Sequence, residues 1–190
     1  MRTCVVCLLG IFMSIAPFSA RGQEDYSKYP GFVDLSKIDE FKESDESVEI
    51  FITRPLLSLI GAASDEEEDT DLIALIKNLV LIRVDQFSVA DKSTEKVNAI
   101  IKNFSSDLTK KNWSRIVRVK DTNERVEIFI LNEGNHVAGL LIMSLKFNEE
   151  ATFVNIVGKI DMDQLDNLSR KFNIPEMDSL NVKEKKNKHE

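Results

Sequence analysis

The chain is poor in the residue types that most often betray a catalytic or metal-binding site. It has two cysteines, Cys4 and Cys7, and two histidines, His136 and His189, in 190 residues. Four prolines and seven glycines leave no room for a proline-rich or glycine-rich repeat. There is no glycine-rich phosphate loop, no nucleophile elbow and no zinc-binding helix motif. The apolar run at the amino terminus is short of the about 20 residues of a spanning helix, with an uncleaved anchor its alternative reading, and no later run without charges reaches that length. Positive charge is also short: the formal net charge is −7. Phosphate binding needs clustered Lys and Arg, so nucleic acid is excluded as a partner.

Both cysteines fall where an export signal belongs. Arg2 supplies a positive start, Cys4 to Ile15 an apolar core, and Ala20-Arg21-Gly22 a small-x-small cleavage site. Residues 1–22 therefore read as a signal peptide, and the mature chain of 168 residues begins at Gln23 with a charge of −9. Neither cysteine follows a small residue at the end of the apolar core, so a lipoprotein is not expected. The expectation is an exported protein, periplasmic or extracellular, whose core suffices without disulfides.

Within the mature chain, 23–47 is a polar lead-in segment with apolar anchors at Phe32, Val33, Leu35, Ile38 and Phe41. The main domain spans 48–174, and 175–190 is a flexible charged tail. Val48 to Ile52 is rich in β-branched residues and predicts a strand. Thr53 and Pro55 then start a helix whose buried stripe is Leu56, Leu57, Leu59 and Ile60, ended by Gly61. Leu72, Ile73, Leu75, Ile76 and Leu79 recur at helical spacing, and Leu81 to Val89 predicts a strand. Asp91 or Ser93 starts a longer helix with Val97, Ile100, Ile101, Phe104 and Leu108 on one face.

From Trp113 the pattern becomes a meander. Strands are predicted over Trp113–Lys120, Arg125–Leu131, His136–Phe147 and Ala151–Ile160, joined by short polar gaps that suit antiparallel hairpins. Gly158 marks a bulge or a close backbone approach. Asp161, with Gln164 three residues on, caps a last helix whose inner face is Leu165, Leu168 and Phe172. The fold class expected is α+β: a two-layer sandwich, one mainly antiparallel sheet with a C-terminal four-strand meander, covered by three to four helices. Leu140 and Ile142 oppose Leu141 and Met143, and Ile128 opposes Phe129. Strands apolar on both faces need cover on both, from the lead-in segment or from a partner.

The order of these pieces resembles a family of exported bacterial proteins, domain of unknown function 4252, known mostly from the Bacteroidota. The resemblance is carried by Gly31-Phe32-Val33-Asp34-Leu35, by Val48-Glu49-Ile50-Phe51-Ile52 running into Pro55-Leu56-Leu57, and by Ile82-Arg83-Val84. It continues through Trp113-Ser114-Arg115-Ile116-Val117-Arg118-Val119-Lys120-Asp121 and Val157-Gly158-Lys159-Ile160-Asp161. It implies an extracytoplasmic location and a small α+β domain. It brings no activity, cofactor or catalytic residue.

Candidate sites each meet a plainer explanation. The acidic run 65–71 offers oxygens for Ca²⁺, yet it lacks spaced ligands and the glycine of an EF-hand loop; a solvated linker that favours the next helix dipole explains it. His136 has no second His or Cys to share a metal and no visible orienting carboxylate for base catalysis. Asp161 and Asp163, with Glu127 facing them, would form the carboxylate pair of a small hydrolase; helix capping explains both aspartates. Arg83, Arg115, Arg118 and Lys120 decorate strands. They suit either an acidic partner or a ladder of ion pairs with groups such as Asp85. Asp178-Ser179-Leu180 resembles a short O-glycosylation acceptor. No residue is assigned as catalytic, cofactor-binding or metal-binding, and no cofactor is expected. The function expected is a non-catalytic envelope domain that binds an envelope protein or self-associates through an apolar sheet face. A carboxylate-dependent hydrolase and an acidic-loop calcium binder are the alternatives.

Overall fold

A computed structural model describes residues 24–43, 46–63 and 70–161. The expected leader 1–22, residues 65–69 of the acidic run, the expected last helix with Asp163, Gln164, Leu165, Leu168 and Phe172, and the tail with Asp178-Ser179-Leu180 lie outside the described residues.

One antiparallel sheet organises the chain. Its strands are β1 (Ser47–Thr53), β2 (Leu79–Ser88), β3 (Ser114–Lys120), β4 (Glu124–Glu133), β5 (His136–Lys146) and β6 (Glu150–Asp161). Their spatial order is β1-β2-β6-β5-β4-β3. The four C-terminal strands form the expected meander, each hairpin-paired with the next. The helices are α1 (Asp39–Lys42), α2 (Arg54–Ala63), α3 (Thr70–Asn78) and α4 (Asp91–Lys110). Among the described residues no helix is long and apolar enough to cross a membrane.

Period-two alternation sends alternate residues of each strand to opposite faces. On the first face, α4 and the lead-in segment cover Phe87, Phe129, Leu141, Met143, Leu145 and Phe153, with Val97, Ile101, Phe104 and Leu108 of α4 packed against them. Trp113 lies one residue before β3 and is buried in the same cluster. On the second face, α2 and α3 bring Leu57, Leu75 and Ile76 onto Ile52, Ile82, Ile130, Leu140 and Ile156. The helical cover that the two-sided strands require is thus shared between both faces.

The lead-in segment is fastened at a glycine crossing. A Cβ on Gly31 would lie 2.0 Å from the Ala138 carbonyl oxygen, and one on Gly139 would lie 2.4 Å from the Gly31 Cα. Only two glycines permit that approach. Asn155 of β6 completes the fastening: its Oδ1 accepts from the Val33 N–H at 3.0 Å, and its Nδ2 donates to Gly31 O at 3.0 Å and Leu140 O at 3.1 Å.

The structure corrects the reading of α2. Of its expected buried stripe only Leu57 is buried; Leu56, Leu59 and Ile60 are 44%, 65% and 39% exposed. Four apolar residues in five positions span more of a helix than one covered face can hold. Nor does Gly61 end α2, which runs to Ala63 with Gly61 facing Lys77 and Ile76 of α3. Leu79 opens β2 rather than closing α3. Gly158 sits at φ +147°, opposite a register shift in β2, and a Cβ there would meet Asn78 O at 2.6 Å. Both the bulge and the close approach read from the sequence are present.

Candidate functional site

The sheet register places the charged side chains in one transverse row of the first face. Glu49, Asp85, Phe153, Met143, Glu127 and Arg118 are successive Cα partners across all six strands. Asp85 and Glu127 are wholly buried, one on each side of the aromatic centre that α4 covers.

Around Glu127 the chain gathers donors from three elements. Ser105 of α4 donates its hydroxyl to Oε2 at 2.6 Å, Arg125 bonds Oε1, and Arg115 of β3 reaches Oε2 at 3.4 Å. Arg118 stands 4.0 Å from Oε1. Burial alone pushes this carboxyl up, but the hydrogen bonds from Ser105 and Arg125 and the charges of Arg125 and Arg115 outweigh it, holding it below the usual glutamate range. Arg125 also donates to Asn98 of α4 at 3.2 Å.

A second cluster surrounds Asp85. Arg83 binds it through Nε at 2.7 Å and Nη2 at 3.2 Å, and Lys42 of α1 stands 2.8 Å from Oδ1. Lys42 also pairs with Asp39 at 2.7 Å and with Glu49. Burial again acts to raise the carboxyl, and the Arg83 and Lys42 bonds and charges overcome it, so the net shift is downward. For Lys42, burial opposes the charge while Asp39, Asp85 and Glu49 favour it, and the ammonium is held above the usual lysine range.

These clusters restrict the chemistry available. Each carboxylate is held ionised with its oxygens occupied by fixed cations or a hydroxyl, so neither carries a proton to donate. Three strand spacings separate them in the row, about 14 Å at 4.7–4.9 Å per strand. That exceeds the roughly 5–9.5 Å over which carboxylate pairs hydrolyse glycosides. The expected convergence of Glu127 with Asp161 is also corrected. Asp161 pairs with His136 at the far end of β6, whereas Glu127 aligns with Met143 and Phe153, more than roughly 20 Å along the strands at 3.3 Å per residue. Strand position, invisible without the register, separates them.

The other candidates fall as follows. His136 is half-buried at the start of β5, with Nε2 3.9 Å from Glu133 Oε2, beyond a hydrogen bond. Arg83, Arg115 and Arg118 form ion pairs within the sheet, Arg115 and Arg118 across to Glu127 and Arg83 along its own strand. Lys120 is exposed at the end of β3, opposite Arg125. The run 65–69 and Asp163 lie outside the described residues, and among the described residues no group of three or more His, Cys, Asp or Glu side chains could hold a metal ion. Asn155, Ser105 and Lys42 escaped the sequence reading. For Asn155 a signal existed: a lone amide at inward parity between Phe153 and Val157 must find buried partners.

A cleft of about 390 Å³ separates the lead-in segment from the C-terminal end of α4, lined by Tyr29, Lys37, Phe104, Asp107, Lys111 and Trp113 among others. Lys37 and Asp107 neutralise each other across its rim at 3.3 Å. None of the buried polar groups Asp85, Glu127 and Asn155 lines it. A different surface stands out at the β1 edge. Among the described residues, the exposed large apolar side chains are Val48, Ile50, Phe51, Leu56, Leu59, Ile60 and Val119. All but the last belong to β1 and α2: Val48 and Ile50 on the second face of the edge strand, Phe51 on the first, and Leu56, Leu59 and Ile60 on the helix.

Comparison with curated proteins and with solved structures finds no match. Residues 41–168 match the family model of the domain of unknown function DUF4252, from α1 through the last strand of the sheet and beyond, and the chain belongs to that family.

Proposed function

We propose that this protein is an exported, non-catalytic binding domain of the cell envelope that engages a protein partner through the surface of β1 and α2. The observation that carries the reading is the concentration of exposed apolar side chains between Val48 and Ile60. An edge strand beside an apolar helix flank suits a partner chain that extends the sheet and covers the helix. The leader at 1–22 supports export, and the occupied carboxylates support a role without chemistry. A photo-crosslinking residue at Leu59, exposed on α2, tests this in the native envelope, with one at exposed Lys102 of α4 as control. A discrete protein adduct from position 59 and none from 102 is the expected result. Equal capture at both positions, or none at 59, sinks the reading.

A further inference from the structure

The two edges of the sheet are built differently. β3 carries Arg115, Arg118 and Lys120 in seven residues, a density of positive charge that repels a second β3. β1 carries one charge in seven residues, Glu49, and Lys42 of the same chain neutralises it. The β1 edge has none of the charge by which edge strands are usually kept apart, and it shows Val48, Ile50 and Phe51 at 47%, 42% and 50% exposure. We infer that β1 is the dimer edge of this protein and that its occupant is a second copy of the same chain, paired antiparallel about Ile50. The inference rests on the proposed binding surface and names its partner.

The pairing is self-complementary at each level. A two-fold axis at Ile50 sets Val48 opposite Ile52 of the second copy, keeping apolar residues on the second face. On that face Ile50, Val84, Val154, Ile142, Ile128 and Val117 are successive partners across all six strands. The same operation joins the two rows into one apolar stripe through both copies. On the first face Glu49 falls opposite Phe51 of the second copy, whose own Arg83 guanidinium stacks on that ring at 5.0 Å. Glu49, already neutralised by Lys42, and the Phe51 ring, already covered by an Arg83 that Asp85 neutralises, therefore meet twice across the axis without opposing like charges. In α2, Leu57 faces the sheet and Gly61, four residues on, faces α3. At 3.6 residues per turn Leu56 and Ile60 fall on the flank away from Gly61 and Leu59 on the outer side, and this exposed surface meets its equivalent in the second copy. A β1-to-β3 contact, by contrast, would be heterologous and would build a ring or an open filament rather than a two-fold dimer.

The test is sedimentation velocity on the protein purified from its envelope, with Ile50→Lys, Leu59→Glu and Val119→Lys variants. All three sites are exposed, so unchanged circular dichroism is the folding control. The native protein is expected to be a dimer at micromolar concentration. Ile50→Lys and Leu59→Glu should each raise its dissociation constant at least about tenfold, and Val119→Lys should leave it alone. The register has its own test. Opposed Cα atoms on a two-fold antiparallel pair lie about 4.5–5.5 Å apart, within disulfide range. An Ile50→Cys variant should oxidise to a covalent dimer, and Val119→Cys should not. A monomer at all concentrations up to about a hundred micromolar, dimers that survive both β1 and α2 variants, or a dimer that Ile50→Cys fails to crosslink would each overturn the inference. If position 59 captures a different protein while the purified chain stays monomeric, the binding surface stands and self-pairing falls.

Discussion

Replacing Asn155 with Ala removes the fastening of the lead-in segment in one step. Its amide makes three hydrogen bonds, buried ones to Val33 N and Gly31 O and a partly buried one to Leu140 O. At about 1 kcal/mol net each, their loss costs about 3 kcal/mol. Stranded polar groups add to that unless water reaches them, and water reaches Gly31 and Val33 only if the segment lifts. Lifting would expose Val33, Leu35 and Ile38, all now buried, at about 1.5–3 kcal/mol per side chain. The segment should therefore stay down, with a total loss of about 3–5 kcal/mol, a large fraction of the roughly 5–15 kcal/mol that holds a domain. Equilibrium urea unfolding followed by Trp113 fluorescence reads this directly, because the indole packs against Gly139 where the segment crosses. Amide hydrogen exchange at Val33 gives the local reading and should lose protection. An Asn155→Asp variant keeps the acceptor for Val33 but turns a carboxylate on two carbonyls, so it should recover stability as acid protonates it. A loss below about 1 kcal/mol in the Ala variant, or unchanged protection at Val33, would refute the reasoning.

The folded-state carboxyl of Glu127 is held below its ordinary value, so its contribution is present above the unfolded glutamate range and fades as pH falls through the folded one. Glu127→Gln should lower stability at neutral pH and flatten its dependence on pH in acid, as measured by thermal melts across a pH series. Trp113→Ala, at a buried ring, should cost about 3–5 kcal/mol, and native tryptophan emission should be blue-shifted and resistant to quenching; red-shifted, readily quenched emission counts against it. Changing Glu66, Glu67 and Glu68 together to Gln should alter stability by no more than about 0.5 kcal/mol. A melting temperature that rises with millimolar Ca²⁺ and loses that rise in the triple variant would instead make the acidic run a metal site.

The parts of the fold legible in the sequence are those set by neighbours along the chain. Alternation and short polar gaps located all four strands of the meander to within a few residues, since a hairpin is closed by its own turn. The pairing of β2 with β6 joins segments about seventy residues apart, and no local pattern encodes it. The error at α2 has the same origin. Leu56, Leu59 and Ile60 are visibly apolar, but which flank of a helix is covered depends on where α3 and β1 lie. The charged clusters were half legible: Asp85 beside Arg83 suggested an ion pair, whereas Lys42 and Ser105 reach their carboxylates from elements far away in sequence. Nothing in a single sequence separates Asp161 from Glu127, because strand register is not written in local pattern.

The glycine crossing also dictates an order of events. The atoms that fasten residues 31 and 33 are supplied by residue 155, separations of 124 and 122 positions. At about 5–20 residues per second, ribosomal synthesis leaves an interval of roughly 6–25 s between the latch and its catch. A chain threaded amino-end first thus presents Phe32, Leu35, Ile38 and Phe41 to its surroundings well before β5 and β6 exist to receive them. A chain cut short before Asn155 would betray itself at the opposite end, through an amino terminus that never closes and stays open to proteases.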